Sequence, residues 1–155
     1  MNTKTSMWFN VKAEYVALVE GKDKKFKENY IVEAASCGQA EEIAMEELAC
    51  FYPAGVDILS VQKCQFSEVS FIEEDAASTE WYEATVQLIT FDERTNKEKK
   101  TSKKYLVEAT SINSAVKAVD DIFRGSVIDY VSVQVKLAKV VDVFVKESDT
   151  PKENA

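Results

Sequence analysis

The sequence contains no histidine among its 155 residues. This absence excludes imidazole acid–base catalysis, Ser–His and Cys–His nucleophile pairs, and every metal site that uses a histidine ligand. Only four glycines and two prolines are present, which is too few for a glycine-rich loop that binds phosphate. We therefore expect no catalytic residues, no metal site and no cofactor, and we predict that the protein is not an enzyme.

Long hydrophobic runs and paired cysteines are also missing. No apolar run approaches the ~20 residues of a membrane-spanning helix, and the first seven residues lack the apolar core of a signal peptide. The three cysteines, Cys37, Cys50 and Cys64, form no C-x-x-C motif. We interpret them as reduced structural thiols, with a reactive thiol or a metal ligand as the alternative. Together these features predict a cytoplasmic protein without a membrane partner.

Basic residues are outnumbered by acidic ones, 19 to 27, which gives a formal net charge of −8. This balance argues against general coating of a nucleic-acid duplex or an anionic membrane. Apolar residues make up 46% of the chain, which is typical of a globular protein. Any surface that binds anions is therefore expected to be a local patch on an acidic globular fold.

The most informative feature that is present is an internal repeat. Four segments recur in the same order, with differences in length only between the predicted elements. The matching pairs are residues 8–9 and 81–82, 21–25 and 96–100, 30–36 and 105–111, and 57–62 and 129–134. An ordered set of this kind indicates that one structural unit occurs twice.

Each copy predicts the same local structure. Apolar and polar residues alternate after Trp8 and after Trp81, which predicts a strand with one buried face. Gly21 and Asn96 then mark a hairpin turn, because glycine and asparagine best tolerate a positive φ. A second strand follows and leads into an amphipathic helix.

Two further features complete each unit: a serine at the start of the helix, and a segment after the helix that is rich in β-forming residues. Ser36 with Gln39 predicts a capping box, and Ser111 predicts a cap at the start of the second helix. The segments 57–72 and 127–145 are rich in β-forming residues, and each is either one long bulged strand or two shorter strands.

The sequence therefore predicts an α+β fold, made by internal duplication of a ββαβ unit. We expect small antiparallel sheets, each covered on one face by a helix. The first repeat is expected over residues 7–72 and the second over residues 81–145. An acidic linker over residues 73–80 separates them, and residues 146–155 are expected to be a disordered tail.

Three paired motifs point to a known family: a Trp-aromatic start, a lysine-rich turn, and a Tyr-x-Val-x-Ala-x-Ser segment leading into a helix. With these motifs the chain resembles the domain of unknown function 4494 family, short proteins of Bacteroides-type bacteria and their phages. The resemblance covers roughly residues 7–145. It implies no activity, cofactor or functional residue, because the family has none established.

The candidate binding residues are six lysines on the two predicted hairpins: Lys22, Lys24, Lys25, Lys97, Lys99 and Lys100. In one interpretation the hairpins are paired basic fingers that bind phosphates or an acidic protein surface. In the other, the lysines are solvated and discourage edge-to-edge strand pairing. Neighbouring acids such as Asp23 and Glu98 reduce the local positive charge.

Two tryptophans complete the candidate set. Strand periodicity places Trp8 and Trp81 on the sheet face opposite the helix. There they either stack on unpaired nucleic-acid bases or pack against apolar neighbours. The carboxylates of the first helix, by contrast, are spaced as a solvated face.

These observations lead to a functional hypothesis with alternatives. We expect a non-enzymatic binding or assembly protein whose partner is another protein or a second copy. The first alternative is a single-stranded nucleic-acid-binding accessory protein that uses the paired lysine-rich hairpins. A further alternative is an acidic decoy that occupies the basic surface of a host protein through its helix carboxylates.

Overall fold

The computed structural model describes residues 2–4, 7–72 and 78–145. The elements in these residues are, in chain order, β1 (Asn2–Lys4), β2 (Trp8–Val19), β3 (Lys22–Glu33), α1 (Cys37–Ala49), β4 (Val56–Lys63), β5 (Phe66–Phe71), β6 (Glu80–Asp92), β7 (Lys97–Ala109), α2 (Ile112–Ile122), β8 (Asp129–Leu137) and β9 (Asp142–Phe144).

The elements divide into two compact units. The four-stranded unit takes its described residues from 7–64 and 140–145, and the five-stranded unit takes them from 2–4 and 65–139. Each unit therefore combines two separate stretches of the chain.

In the four-stranded unit, the strand order is β4-β2-β3-β9. The long hairpin β2–β3 is antiparallel, β4 is antiparallel to β2, and β9 is parallel to β3. Alternate side chains of β2, including Phe9 and Val11, are buried in one core with Ala40, Ala44 and Leu48 of α1. The helical residues are spaced by four, so they form one apolar stripe that covers one face of the sheet.

In the five-stranded unit, the strand order is β1-β5-β7-β6-β8. The hairpin β6–β7 and the pair β6–β8 are antiparallel, β5 is parallel to β7, and β1 is antiparallel to β5. Val86 of β6 and Val107 of β7 are fully buried in one core with Val119 of α2. This sheet too has a helix on one face.

The α+β class is confirmed, but the prediction of antiparallel sheets is wrong. Both sheets are mixed, because β9 runs parallel to β3 and β5 runs parallel to β7. Strand periodicity indicates which face of a strand is buried, and it carries no information about the direction of the neighbouring strand. The open question about the sequence after each helix is also answered, since each segment forms two strands.

The compact units differ from the contiguous repeats expected over residues 7–72 and 81–145. Strand β5 follows β4 in the chain but lies in the five-stranded unit, and β9 follows β8 but lies in the four-stranded unit. Of the predicted linker, Glu80 begins β6, whereas residues 73–77 lie outside the described residues. The predicted tail over residues 146–155 also lies outside them.

The local predictions at the turns are confirmed. Gly21 has φ of 78° and Asn96 has φ of 59°, and each lies at the tip of its hairpin. Glu20 also has a positive φ, 53°, so the first turn has positive φ at both central residues, as right-twisted hairpins prefer.

The serine caps are confirmed, and the reciprocal bond of the capping box comes from Ala35 N–H, one residue before the cap. The Ser36 hydroxyl accepts a hydrogen bond from the Gln39 backbone N–H at 3.1 Å, and the Gln39 side chain accepts one from Ala35 N–H at 2.6 Å. The Ser111 hydroxyl accepts from Ser114 N–H at 3.1 Å. Each serine thus satisfies a backbone donor that the first helical turn leaves without a partner.

Candidate binding surface

Each long hairpin extends beyond the end of a neighbouring edge strand. This edge strand is β4 in the four-stranded unit and β8 in the five-stranded unit. Strands β2 and β3 pair as far as Val19 and Lys22, but β4 pairs with β2 only as far as Tyr15. We call residues 16–25, beyond that point, the first ribbon. In the five-stranded unit, β8 pairs with β6 only as far as Ile89. Residues 90–99 form the second ribbon.

Both ribbons expose apolar side chains together with lysines. Leu18 in the first ribbon is 74% exposed, and Phe91 in the second is 59% exposed. Large apolar side chains at the tip of a two-stranded ribbon contribute to no core within these two units. Because exposed apolar groups with charged neighbours are typical of interaction surfaces, the ribbons are the candidate binding surface.

The structure distributes the three candidate lysines of the first ribbon over its two faces. Lys22 and Lys24 lie on the face that continues the helix-covered side, and the ammonium of Lys24 is 5.7 Å from the Phe26 ring centroid. Lys25 lies on the opposite face, where its ammonium is 4.0 Å from a Glu14 carboxylate oxygen. All three are exposed.

The second ribbon and its base have the same arrangement. Lys97 and Lys99 lie on the face that continues the helix-covered side, and Lys100 lies on the opposite face. All three are exposed, and Asp92 is directly opposite Lys97. Each hairpin thus carries three candidate lysines near its tip, two on one face and one on the other.

The two candidate tryptophans are buried. Trp8 is 1% exposed and Trp81 is 6% exposed, each on the sheet face opposite the helix as the periodicity predicts. The Trp81 ring contacts Phe71 edge to face, with ring centroids 5.5 Å apart. The Trp8 indole N–H is buried, and it has no hydrogen-bond partner among the residues that the structure describes. Neither indole offers an open ring face on which a base could stack.

A tyrosine cluster at the base of the first ribbon was not predicted from the sequence. The hydroxyls of Tyr15 and Tyr30 each donate to the Glu28 carboxylate at 3.0 Å, and the Tyr15 ring stacks on Tyr52 with centroids 3.9 Å apart. Burial, followed by hydrogen bonds with Tyr52 and Glu28, raises the pKa of Tyr15 and Tyr30 above the usual tyrosine value. The cluster anchors the ribbon to its sheet.

A family comparison now assigns the chain. The model of the family described as Domain of unknown function (DUF4494) matches residues 7–147. The chain belongs to this family. Searches of curated proteins and of solved structures each gave no match.

A cleft of this DUF4494 chain lies in the five-stranded unit. This cleft of about 330 Å³ is lined by Ser70, Glu108, Ser114, Lys117 and Asp121, among others. Glu108 accepts hydrogen bonds from the Ile72 backbone N–H at 3.1 Å and from the Thr79 hydroxyl at 3.0 Å. These bonds give the carboxylate a structural role that ties the end of β5 and the start of β6 to β7.

The remaining candidates are dispersed. Glu41, Glu42, Glu46 and Glu47 are all exposed along α1. Cys37 and Cys50 are exposed and Cys64 is half-buried. Within the part of the chain that the structure describes, no group of three or more acidic or cysteine side chains is placed to hold a metal ion. Neither described helix is long and apolar enough to span a membrane.

Proposed function

We propose that this DUF4494 chain is a non-enzymatic binding or assembly protein that makes its contacts through the two ribbons and the sheet edges beside them. The observation that supports this most directly is the extension of both hairpins beyond their third strand, where Leu18 and Phe91 are exposed. Ordered ribbons with exposed apolar tips are suited to binding a protein surface.

We further propose that the chain consists of two copies of a ββαβ unit. In support, equivalent backbone bonds recur: Cys64 N–H donates to Trp8 C=O at 2.8 Å, and Ala138 N–H donates to Trp81 C=O at 2.9 Å. Val69 pairs with Leu106 and Val143 with Ile31 in matching parallel positions. The pairs 64 and 138, and 69 and 143, both differ by 74.

This offset revises one match made from sequence letters. Residues 57–62 resemble residues 129–134 at an offset of 72, yet Asp57 lies opposite Glu14 and Asp129 lies opposite Ile89. A shift of two residues leaves every side chain on the same face, so the letters alone do not distinguish the offsets.

The copies also exchange a strand in this proposal. The equivalent strands β5 and β9 each pair in parallel with the hairpin of the other copy. Domain swapping exchanges an identical element between two protomers. Fusion of two swapped protomers into one chain would produce this strand arrangement. An origin as a symmetric assembly supports a present role in assembly.

Sedimentation velocity over a range of concentrations tests the assembly proposal. We expect the size of the native chain to rise with concentration, and we expect Leu18→Ser with Phe91→Ser to weaken this rise. The matched control is Phe51→Ser, which removes an apolar side chain of 68% exposure from the loop after α1. A native chain of constant size would contradict assembly. If Phe51→Ser weakened the rise in size as much as the double variant does, self-association would not depend on the ribbons.

Single-stranded nucleic-acid binding is the second candidate. It is supported by the exposure of all six candidate lysines, whereas the burial of Trp8 and Trp81 removes base stacking from it. The test is fluorescence polarisation with a labelled mixed-sequence strand, comparing Lys97/Lys99/Lys100→Ala with the control Lys63/Lys117/Lys139→Ala, which removes the same charge elsewhere. Binding through phosphates would weaken steeply between about 50 and 200 mM salt and be lost only in the Lys97/Lys99/Lys100→Ala variant.

A further inference from the structure

Strand β8 is an exposed edge of the five-stranded sheet. It ends the strand order, and within the described residues no strand pairs with its outer side. Val131, Val133 and Leu137 are each at least half exposed along its nine residues. An ordered edge with exposed β-branched side chains can pair with another strand through its free backbone groups.

A bulge determines which side chains of β8 share a face. Thr85 of β6 pairs with Gln134 and Val86 with Ser132, so Val133 is an extra residue. Tyr130 and Val135 therefore both pack against the helix-covered core although their numbers differ by an odd amount. Asp129 and Lys136, which flank them, both lie on the opposite face.

This arrangement makes β8 complementary to itself in one register. We propose that β8 pairs antiparallel with β8 of a second copy about a twofold axis between Ser132 and Val133, an inference that rests on the assembly function proposed above. Directly opposite residues of an antiparallel pair share a face. The axis then places Asp129 opposite Lys136 of the other copy, twice by symmetry, and Val131 opposite Gln134.

The apolar ends of the strand fit the same register. Ile128, which precedes β8 and is 42% exposed, lies opposite Leu137 of the other copy at both ends of the pairing. The pairing would therefore cover exposed apolar side chains, match opposite charges and continue the sheet through the dimer. Cross-strand ion pairs and apolar pairs both stabilise antiparallel strands.

The corresponding edge strand β4 lacks this complementarity, although it too begins near an acid and ends with a lysine. Its bulge residue is Leu59, since Lys12 pairs with Ser60 and Ala13 with Ile58. Asp57 lies opposite Glu14, whereas Lys63 lies opposite Phe9, whose side chain is in the core. Asp57 and Lys63 thus lie on different faces and cannot oppose each other. The second copy is therefore assigned to β8.

Charge reversal and its repair test the register in the full-length chain. By sedimentation velocity, we expect Asp129→Lys alone, and Lys136→Glu alone, each to raise the dissociation constant of the dimer by about tenfold, because both symmetric pairs become like-charged. The double variant should return to within about threefold of the native value, since opposite charges meet again. Asp57→Lys and Lys63→Glu on β4 make the same charge changes and should leave the dimer unchanged.

A disulfide cross-link tests the same register without reversing a charge. Its result does not depend on whether the charge-reversal variants fold. In a chain with Cys37, Cys50 and Cys64 replaced by serine, one sample carries Val131→Cys and another carries Gln134→Cys. Mixed and oxidised, the two should form a disulfide, because directly opposite strand residues meet its distance requirement. The Val131→Cys chain oxidised alone should not, because this register places each Val131 opposite Gln134 and not opposite the second Val131.

The outcomes separate this inference from the proposed function. Repair by the double variant together with the specific cross-link supports the β8 dimer. Self-association that persists unchanged in both single variants, without the cross-link, overturns the β8 dimer and leaves the assembly function standing. A native chain that stays monomeric at every concentration overturns the β8 dimer and self-assembly together, and leaves binding to a different protein as the proposed function.

Discussion

Phe144 stacks on Tyr30 with ring centroids 5.4 Å apart and ring planes 13° apart. The two residues are separated by 114 positions in the sequence (144 − 30). The contact belongs to the pairing of β9 with β3, which has only three residue pairs. Side-chain packing by Phe144 is therefore a major part of what holds this short strand.

Removal of this ring should destabilise the four-stranded unit. We expect Phe144→Ala to lower its free energy of unfolding by about 3–5 kcal/mol, because a buried aromatic side chain is lost and a cavity remains. Urea denaturation followed by circular dichroism measures the change. Val145→Ala, at an exposed neighbouring position, is the control. Equal losses in the two variants would contradict a special contribution of the Phe144 ring to stability.

Two glycine substitutions should change the stability of the protein in opposite directions. Gly21→Ala should destabilise the protein by about 1–2 kcal/mol, because Gly21 has φ of 78° and a Cβ meets no atom within 4 Å, so backbone strain alone acts. Gly38→Ala, inside α1, should stabilise by up to about 1 kcal/mol, because alanine loses less backbone entropy in a helix. Thermal melts of both variants measure this, and a shift of the same sign in both would contradict it.

The two serine caps should contribute comparably to stability. Ser36→Ala and Ser111→Ala should each lower the free energy of unfolding by about 1 kcal/mol, since each leaves a backbone N–H of the first turn without its acceptor. Ser102→Ala, exposed on β7, should stay within about 0.5 kcal/mol of the native value. Urea titrations would contradict the prediction if all three serines behaved alike.

Glu68 predicts a pH dependence of stability. Its partial burial raises the pKa of the carboxyl above 4.5, so the folded state binds the proton more tightly than the unfolded state does. Its ionisation therefore destabilises the fold as the pH rises above about 4.5. Glu68→Gln should raise the melting temperature at pH 7. This gain should shrink when the pH falls below the pKa that the Glu68 carboxyl has in the unfolded chain. A gain in melting temperature that stayed constant or grew on acidification would contradict this prediction.

The sequence predicted what short-range chemistry determines. The positive φ of Gly21 and Asn96, the capping box of Ser36 and Gln39, and the buried face of β2 all depend on residues a few positions apart. The parallel strands were not predictable in the same way. Val69 and Val143 have side chains suited to any buried strand, and their partners are selected by packing between distant segments.

The candidate site was predicted only in part. Lysine spacing on the hairpins correctly indicated exposed positions, because charged side chains near a turn are seldom buried. Periodicity assigned Trp8 to a face but not its degree of burial. The bulge at Val133 leaves no clear sequence signal, since one extra residue in a strand of alternating valines resembles an ordinary shift of register.

The position of β9 also has a consequence for protein synthesis. The hairpin β2–β3 is synthesised more than a hundred residues before Val143. The edge formed by Tyr30, Ile31 and Val32 therefore lacks its β9 partner while the five-stranded unit is being translated. A nascent chain stalled before residue 142 would keep that edge open. Emergence of residues 142–144 therefore closes the four-stranded sheet, and products truncated before residue 142 should be the form of this chain that chaperones and proteases recognise.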